Sequence, residues 1–81
     1  MEVIKINGCI LEAQIENIET VNNYKIVVIK DRAGFSVLRI LGQNLISSVY
    51  IKTSKIIDAY KAADTVKTEI TKEQQRMLNF K

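Results

Sequence analysis

The chain has 81 residues, of which 47% are hydrophobic and 26% charged, and its net charge is +3 at neutral pH. This composition is typical of one small folded domain and excludes a disordered chain, and the modest positive charge permits a polyanionic partner such as nucleic acid. Because a chain this short buries only about 60% of the surface it exposes when unfolded, association with further subunits is a reasonable source of stability.

The residue inventory argues against catalysis. The sequence has no histidine and one cysteine, Cys9, which excludes a Cys/His zinc site and a Ser–His or Cys–His nucleophile. Its three glycines form no glycine-rich phosphate loop. Cys9 is expected to be a small packing residue, and no signal peptide or long apolar segment is recognisable. We therefore predict a cytoplasmic protein, not an enzyme, that binds a partner without a metal or cofactor.

Residues 1–52 predict a β-domain. Two half-buried strands lie within residues 3–23 and are joined at Asn7-Gly8, because Asn-Gly is the strongest short signal for a hairpin turn. A second turn at Asn22-Asn23 follows, and runs of β-branched and apolar residues then predict strands at 24–30, 35–41 and 45–51. Five short antiparallel strands with tight turns favour a small, strongly bent barrel that is closed or nearly closed.

Residues 53–81 predict a C-terminal helix that Thr53 or Ser54 can cap. Apolar residues recur every three or four positions, except where Glu73 interrupts, at Ile56, Ala59, Ala63, Val66, Ile70, Met77 and Phe80. β-branched residues within 65–71 leave room for a break, and we favour one long helix with that interruption as the alternative. The apolar stripe is expected to pack on the barrel or on a neighbouring subunit.

Two motifs in the β-domain resemble those of the Sm-like RNA-binding proteins, and most closely their bacterial Hfq branch. Gly8, Ala13 and Glu19 keep the family's spacing of turn glycine, small residue and acidic residue, and Asn23 takes the place of the asparagine in the uridine pocket. Residues 41–46, LGQNLI, are similar to the second motif. Together the motifs cover residues 3–51.

The resemblance implies a five-stranded Sm-like barrel that assembles into a homo-oligomeric ring of about five to seven copies. In such a ring the fourth strand of one subunit pairs with the fifth strand of the next. The resemblance also implies that the ring binds single-stranded RNA, U-rich or A-rich, at pockets repeated around a pore, by base stacking, hydrogen bonds to base edges and positive potential.

The residues nominated for RNA contact are Glu19, Val21, Asn23, Tyr24, Arg39, Leu41, Gly42, Gln43 and Asn44. Val21 stands where the family commonly has an aromatic residue, and Leu41 stands where it has a basic one. Tyr24 is therefore included as a substitute stacking face. Arg39 is included because it could form a basic rim together with Lys25, Lys30 and Arg32.

Two other functions remain open. The departures at Val21 and Leu41 suit an Sm-like oligomeric scaffold without an RNA pocket, whose C-terminal helices meet each other or a protein partner. Five short strands and a basic balance also suit an OB-type barrel that binds single-stranded DNA.

Overall fold

The protein is mainly β, with one C-terminal helix. A computed structural model describes residues 2–79, and the side chains of residues 3–76. Its elements are β1 (Glu2–Ile6), β2 (Cys9–Val21), β3 (Tyr24–Lys30), β4 (Phe35–Leu41), β5 (Asn44–Ile51) and α1 (Ile56–Asn79). The five antiparallel strands curl into a half-barrel, which confirms the predicted fold class.

The turns between strands use residues that accept a left-handed backbone. Asn7 and Gly8, between β1 and β2, have φ values of 52° and 81°, and Asn22 and Asn23, between β2 and β3, have 50° and 73°. Gly42, between β4 and β5, has a φ of 65°. Asparagine and glycine tolerate this region, which explains why the sequence predicted these turn positions.

Each strand pairs with its neighbour in the sequence, in the order β1-β2-β3-β4-β5. The fourth strand is therefore hydrogen-bonded to β3 on one side and to β5 of its own chain on the other. This corrects the expected assembly, because β4 has no free edge for the fifth strand of a neighbouring subunit. The strands with a free edge are β1 and β5.

The curl is open rather than closed. Among the described residues, β1 and β5 do not pair as strands. They are linked at one end, where the Asn7 N–H donates to the Gln43 carbonyl oxygen and the Leu45 N–H donates to Asn7 Oδ1 at 3.4 Å. A short contact between two turns thus links the two edges of the half-barrel, where the sequence predicted a closed or nearly closed barrel.

Successive side chains of the central strands point to opposite faces of the sheet, and side chains are buried on both faces. On the helix face, which is the side of the sheet covered by α1, the buried residues are Ile26, Val28, Phe35, Val37, Ala59, Ala63, Val66 and Ile70. On the opposite face Val27, Leu38 and Ile40 are buried, and the partly buried residues packed against them are Ile4, Ile6, Ile15 and Ile29. The sheet therefore separates two small cores.

Helix α1 is continuous, as favoured from the sequence. The hydroxyls of Thr65, Thr68 and Thr71 donate to the carbonyl oxygens four residues earlier, at 3.1, 2.9 and 3.0 Å. These bonds accommodate the threonines within the helix, and the interruption considered as the alternative does not occur.

Four of the predicted stripe residues, Ala59, Ala63, Val66 and Ile70, are buried, while Ile56 is 37% exposed. Met77 and Phe80 lie outside the described side chains. Just before the helix, Thr53 Oγ1 accepts the Lys55 N–H and donates to the Asp58 side chain in the first turn, so Thr53 contacts the helix start through a side chain.

The expectation that Cys9 is a small packing residue is wrong. Cys9 is exposed, like the rest of residues 9–12. These residues pair with β1, whereas pairing of β2 with β3 begins only at Gln14. The first part of β2 therefore extends beyond β3, where little of the chain covers it.

Candidate nucleic-acid interface

Strand register brings most of the nominated RNA-contact residues to one end of the sheet. Val21 pairs with Tyr24, Tyr24 with Leu41, and Leu41 with Asn44. These four residues form a single row across β2 to β5, which we call the terminal row. Asn23 and the pair Gly42–Gln43 lie in the turns that adjoin it. The sequence motifs therefore meet in space.

The two nominated ionisable residues lie in the next row on the same face of the sheet, two residues further along β2, β3 and β4. Glu19 pairs with Ile26, Ile26 pairs with Arg39, and Arg39 pairs with Ser47. Because Ile26 points to the helix face, Glu19 and Arg39 also point toward α1. Both make ion pairs with the helix.

Arg39 is almost fully enclosed, with 9% of its surface exposed. Its Nη2 lies 2.8 Å from Glu73 Oε2, and its guanidinium carbon lies 4.3 Å from the centroid of the Tyr24 ring. Burial would lower the pKa of Arg39, but the hydrogen bond to Glu73 and the contact with Tyr24 outweigh burial and raise it. The expectation that Arg39 belongs to an exposed basic rim is therefore wrong, because its position in β4 turns it under the helix.

Glu19 is held by a second ion pair to the helix. Its Oε2 lies 2.9 Å from the Lys67 ammonium, which also lies 3.0 Å from Asp64. The Asn17 side-chain amide donates to the other Glu19 oxygen at 3.1 Å. The hydrogen bond from Lys67 lowers the pKa of Glu19, and the same bond raises the pKa of Lys67. Glu19 thus contributes to helix docking.

The remaining residues of the terminal row differ in accessibility. Val21 and Tyr24 are half-buried and pack against the core of the helix face, and Arg39 covers one face of the Tyr24 ring. Leu41 and Asn44 are exposed, as are Asn23, Gly42 and Gln43 in the turns. The helix face therefore offers a free base less aromatic surface than the sequence suggested.

A groove lies at the same end of the sheet, on the opposite face. We call it the Lys5–Lys25 groove; its volume is about 330 Å³, and it is lined by Val3, Ile4, Lys5, Ile15, Ile18, Lys25, Val27, Ile40, Gly42 and Gln43. The lining residues include two lysines, two nominated turn residues and an aliphatic floor. None of them is a carboxylate.

Two other grooves differ in charge. One of about 490 Å³ contains Lys30 and Arg32, but also Glu12 and Asp31. Another, of about 570 Å³ along α1, includes Asp64 beside its lysines. Of these three grooves, the Lys5–Lys25 groove therefore has the least local repulsion for a polyanion.

Sequence reasoning missed Lys5, Lys67 and Glu73. Lys5 alternates with Ile4 and Ile6 in β1, which is the pattern of a strand that exposes one face. Glu73 interrupts the apolar stripe of α1, and Arg39 interrupts a buried strand. An acid within the apolar stripe of a helix and a base within a buried strand together signal an ion pair, because buried charges need partners.

Within residues 2–79, no helix is apolar enough over a sufficient length to cross a membrane. Among the same residues, no group of three or more His, Cys, Asp or Glu side chains is placed to hold a metal ion. No protein-family model matches the chain, and comparisons with curated proteins and with solved structures gave no significant match. The Sm-like resemblance therefore remains a prediction that rests on its two motifs.

Proposed function

We propose that this protein binds single-stranded RNA in the cytoplasm and that the Lys5–Lys25 groove receives the RNA. The observation that carries this proposal is the charge of the groove, which combines two lysines with no carboxylate. Gly42 and Gln43, two residues nominated from the Sm-like resemblance, line the same groove.

The shape and chemistry of the groove support a single-stranded polyanion. Its volume of about 330 Å³ lies within the range of about 300 to 1,000 Å³ typical of ligand pockets. Lys5 and Lys25 are exposed and can contact backbone phosphates, which supply most of the affinity in nonspecific nucleic-acid binding. Ile18, which is 47% exposed, adds apolar surface against which an unstacked base can pack.

The test is fluorescence anisotropy with labelled hexauridine and hexaadenosine, measured between about 50 and 200 mM salt. The double variant Lys5→Gln, Lys25→Gln is compared with Lys55→Gln, Lys61→Gln, which removes the same charge from exposed positions outside the groove. Each lost phosphate contact lowers the log–log salt slope for a single strand by about 0.7, so we expect a fall of about 1.4 only in the groove variant.

Equal losses of affinity and slope in the two variants would mean that net charge, not the groove, controls binding. No binding of either oligonucleotide by the wild-type protein would refute the proposed function. A matching oligodeoxyuridine adds a third ligand. Tighter binding of this DNA than of hexauridine would favour the single-stranded DNA-binding function over RNA binding.

A second candidate function, an oligomeric scaffold, is favoured by the free edge of β5. None of the eight residues of this strand carries a charge, and four large apolar side chains are exposed: Leu45 (37%), Ile46 (48%), Val49 (45%) and Tyr50 (50%). Natural edge strands are usually protected by charges or prolines, and an unprotected one tends to pair with another chain. A ring would have to pair β5 with β1 of the next copy.

Light scattering tests the scaffold. A ring of about five to seven copies would have that multiple of the 9.2 kDa monomer mass. Val49→Lys places a charge on the β5 edge and should reduce the mass, whereas Ser54→Lys, at an exposed position after the strand, should leave it unchanged. A wild-type protein that stays monomeric across a concentration series would rule out this candidate.

A further inference from the structure

One hydrogen-bond donor of Arg39 is buried without an acceptor in the part of the chain that the structure describes. Its Nη2 donates to Glu73, but its Nε is buried and has no partner among the described residues. A buried donor without an acceptor is costly and needs an explanation. Nε and Nη2 lie on the same side of a guanidinium group, where they can jointly bind two oxygens of one carboxylate or phosphate. The Glu73 carboxylate uses half of that fork.

The part of α1 that carries Glu73 is weakly anchored. Among the side chains of α1 that the structure describes, which end at residue 76, the last buried one is Ile70, and those of residues 71–76 are exposed. We call residues 71–76 the cover segment. Among these side chains, the ion pair of Glu73 with Arg39 is the contact that ties the segment to the sheet. The segment can therefore lift while the core around Ala59, Ala63 and Val66 stays intact.

We propose that Arg39 is a second phosphate-binding site for the RNA backbone and that Glu73 occupies this site until RNA displaces it. A phosphate would replace the Glu73 carboxylate on Nη2 and also accept from Nε, which the carboxylate leaves unpaired. The Tyr24 ring supports the guanidinium from one side and keeps the fork in place during the exchange.

This inference rests on the proposed function, and it extends the interface to both faces of one sheet end. On the helix face, Arg39 lies in the row next to the terminal row. Gly42 and Gln43 adjoin the terminal row and also line the Lys5–Lys25 groove on the opposite face. A strand of RNA that follows the turns can reach both. The cover segment then acts as an intramolecular competitor for the backbone.

The test compares Glu73→Ala with Glu69→Ala. The two variants change net charge and helix propensity equally, and Glu69 is exposed and makes none of the ion pairs found among the described residues. Amide hydrogen exchange is measured first, without RNA. Faster exchange of residues 71–76 in Glu73→Ala, but not in Glu69→Ala, is expected, because the Glu73 carboxylate ties this segment to the sheet.

Anisotropy with labelled hexauridine is measured second. We expect the Glu73→Ala variant to bind hexauridine at least about fivefold more tightly than the Glu69→Ala variant does. A factor of about five is the lower end of the usual range for coupling between two sites. Equal amide exchange in the two variants would overturn the claim that Glu73 holds the cover segment on the sheet, whether or not RNA binds. Faster exchange with equal affinity would overturn the competition while leaving the proposed function standing. No binding by any variant would refute the proposed function, and with it this site.

Discussion

Gly34 provides a direct test of the strand order. It is buried in the turn between β3 and β4, and a Cβ atom added there would meet the backbone of the residues that end β5. The clashing atoms are the Ile51 carbonyl oxygen, the Ile51 carbonyl carbon at 2.9 Å and the Lys52 Cα at 2.9 Å. We expect Gly34→Ala to push β5 away from β4.

The size of the destabilisation depends on whether the atoms that meet the added Cβ can move. The neighbouring atoms belong to the backbone, so no side-chain rotation relieves the clash. Asp31 also holds Gly34 on two sides, because its N–H donates to the Gly34 oxygen at 2.9 Å and its Oδ1 accepts the Gly34 N–H at 2.8 Å. Overpacking of this kind costs about 3 kcal/mol at the upper end of its usual range. Reduced freedom of the unfolded chain offsets up to about 1 kcal/mol, which leaves a net loss of about 2 kcal/mol.

Thermal unfolding followed by circular dichroism measures this loss. For a domain of this size, about 2 kcal/mol lowers Tm by about 8 to 16 °C. Gly8→Ala is the matched control, because Gly8 has a φ of 81° and open space around its Cβ position, so its cost is backbone strain alone, about 1 kcal/mol. The series is repeated at several protein concentrations, since self-association shifts Tm. A Gly34→Ala variant as stable as the wild type, or more stable than Gly8→Ala, would refute the in-chain position of β5.

Two further predictions concern the docking of α1. Ile70 is 2% exposed, so Ile70→Ala should lower the free energy of unfolding by about 2 to 4 kcal/mol, and urea titration would reveal a smaller loss if the helix did not pack on the sheet. The Glu19 carboxylate has a lowered pKa because Lys67 bonds its charged form. Its stabilising contribution is therefore complete above the ordinary pKa of 4.5 and disappears as the pH falls through the lowered value. Glu19→Gln should flatten the acid limb of Tm against pH, and parallel limbs in the two proteins would contradict the ion pair.

Local chemistry made the elements predictable. Asn7-Gly8 and Asn22-Asn23 marked turns because their backbones adopt positive φ, and the spacing of Ala59, Ala63 and the later apolar residues marked one buried stripe. Each of these signals lies within a few residues of the feature that it predicts.

Features that depend on contacts between distant parts of the chain were harder to predict from the sequence. The order of the strands depends on whether β5 joins β4 or β1, and both arrangements use the same turn residues. The partners of the two nominated ionisable residues are also remote, since Arg39 is 34 residues from Glu73 and Glu19 is 48 residues from Lys67. Alternation in β4 places Arg39 on the same face as Val37, so it predicts burial once the helix is known to cover that face.

The parts of α1 before and after Ile70 are held to the sheet in different ways, and this difference connects the stability of the fold to the proposed RNA binding. Before this residue, Ala59 and Ala63 allow the helix to approach the sheet closely, and they are 0% and 4% exposed. After it, Glu73 supplies a charged contact whose carboxylate is 51% exposed. The guanidinium of Arg39 is enclosed, so loss of Glu73 leaves a buried charge without its carboxylate partner and also costs stability. This single contact nevertheless holds the cover segment less firmly than the core holds the rest of the helix. Ile70→Ala should therefore lower the free energy of unfolding through lost packing alone, whereas Glu73→Ala should in addition speed amide exchange in residues 71–76 and raise RNA affinity. A helix that served only as packing would give the two variants the same kind of defect.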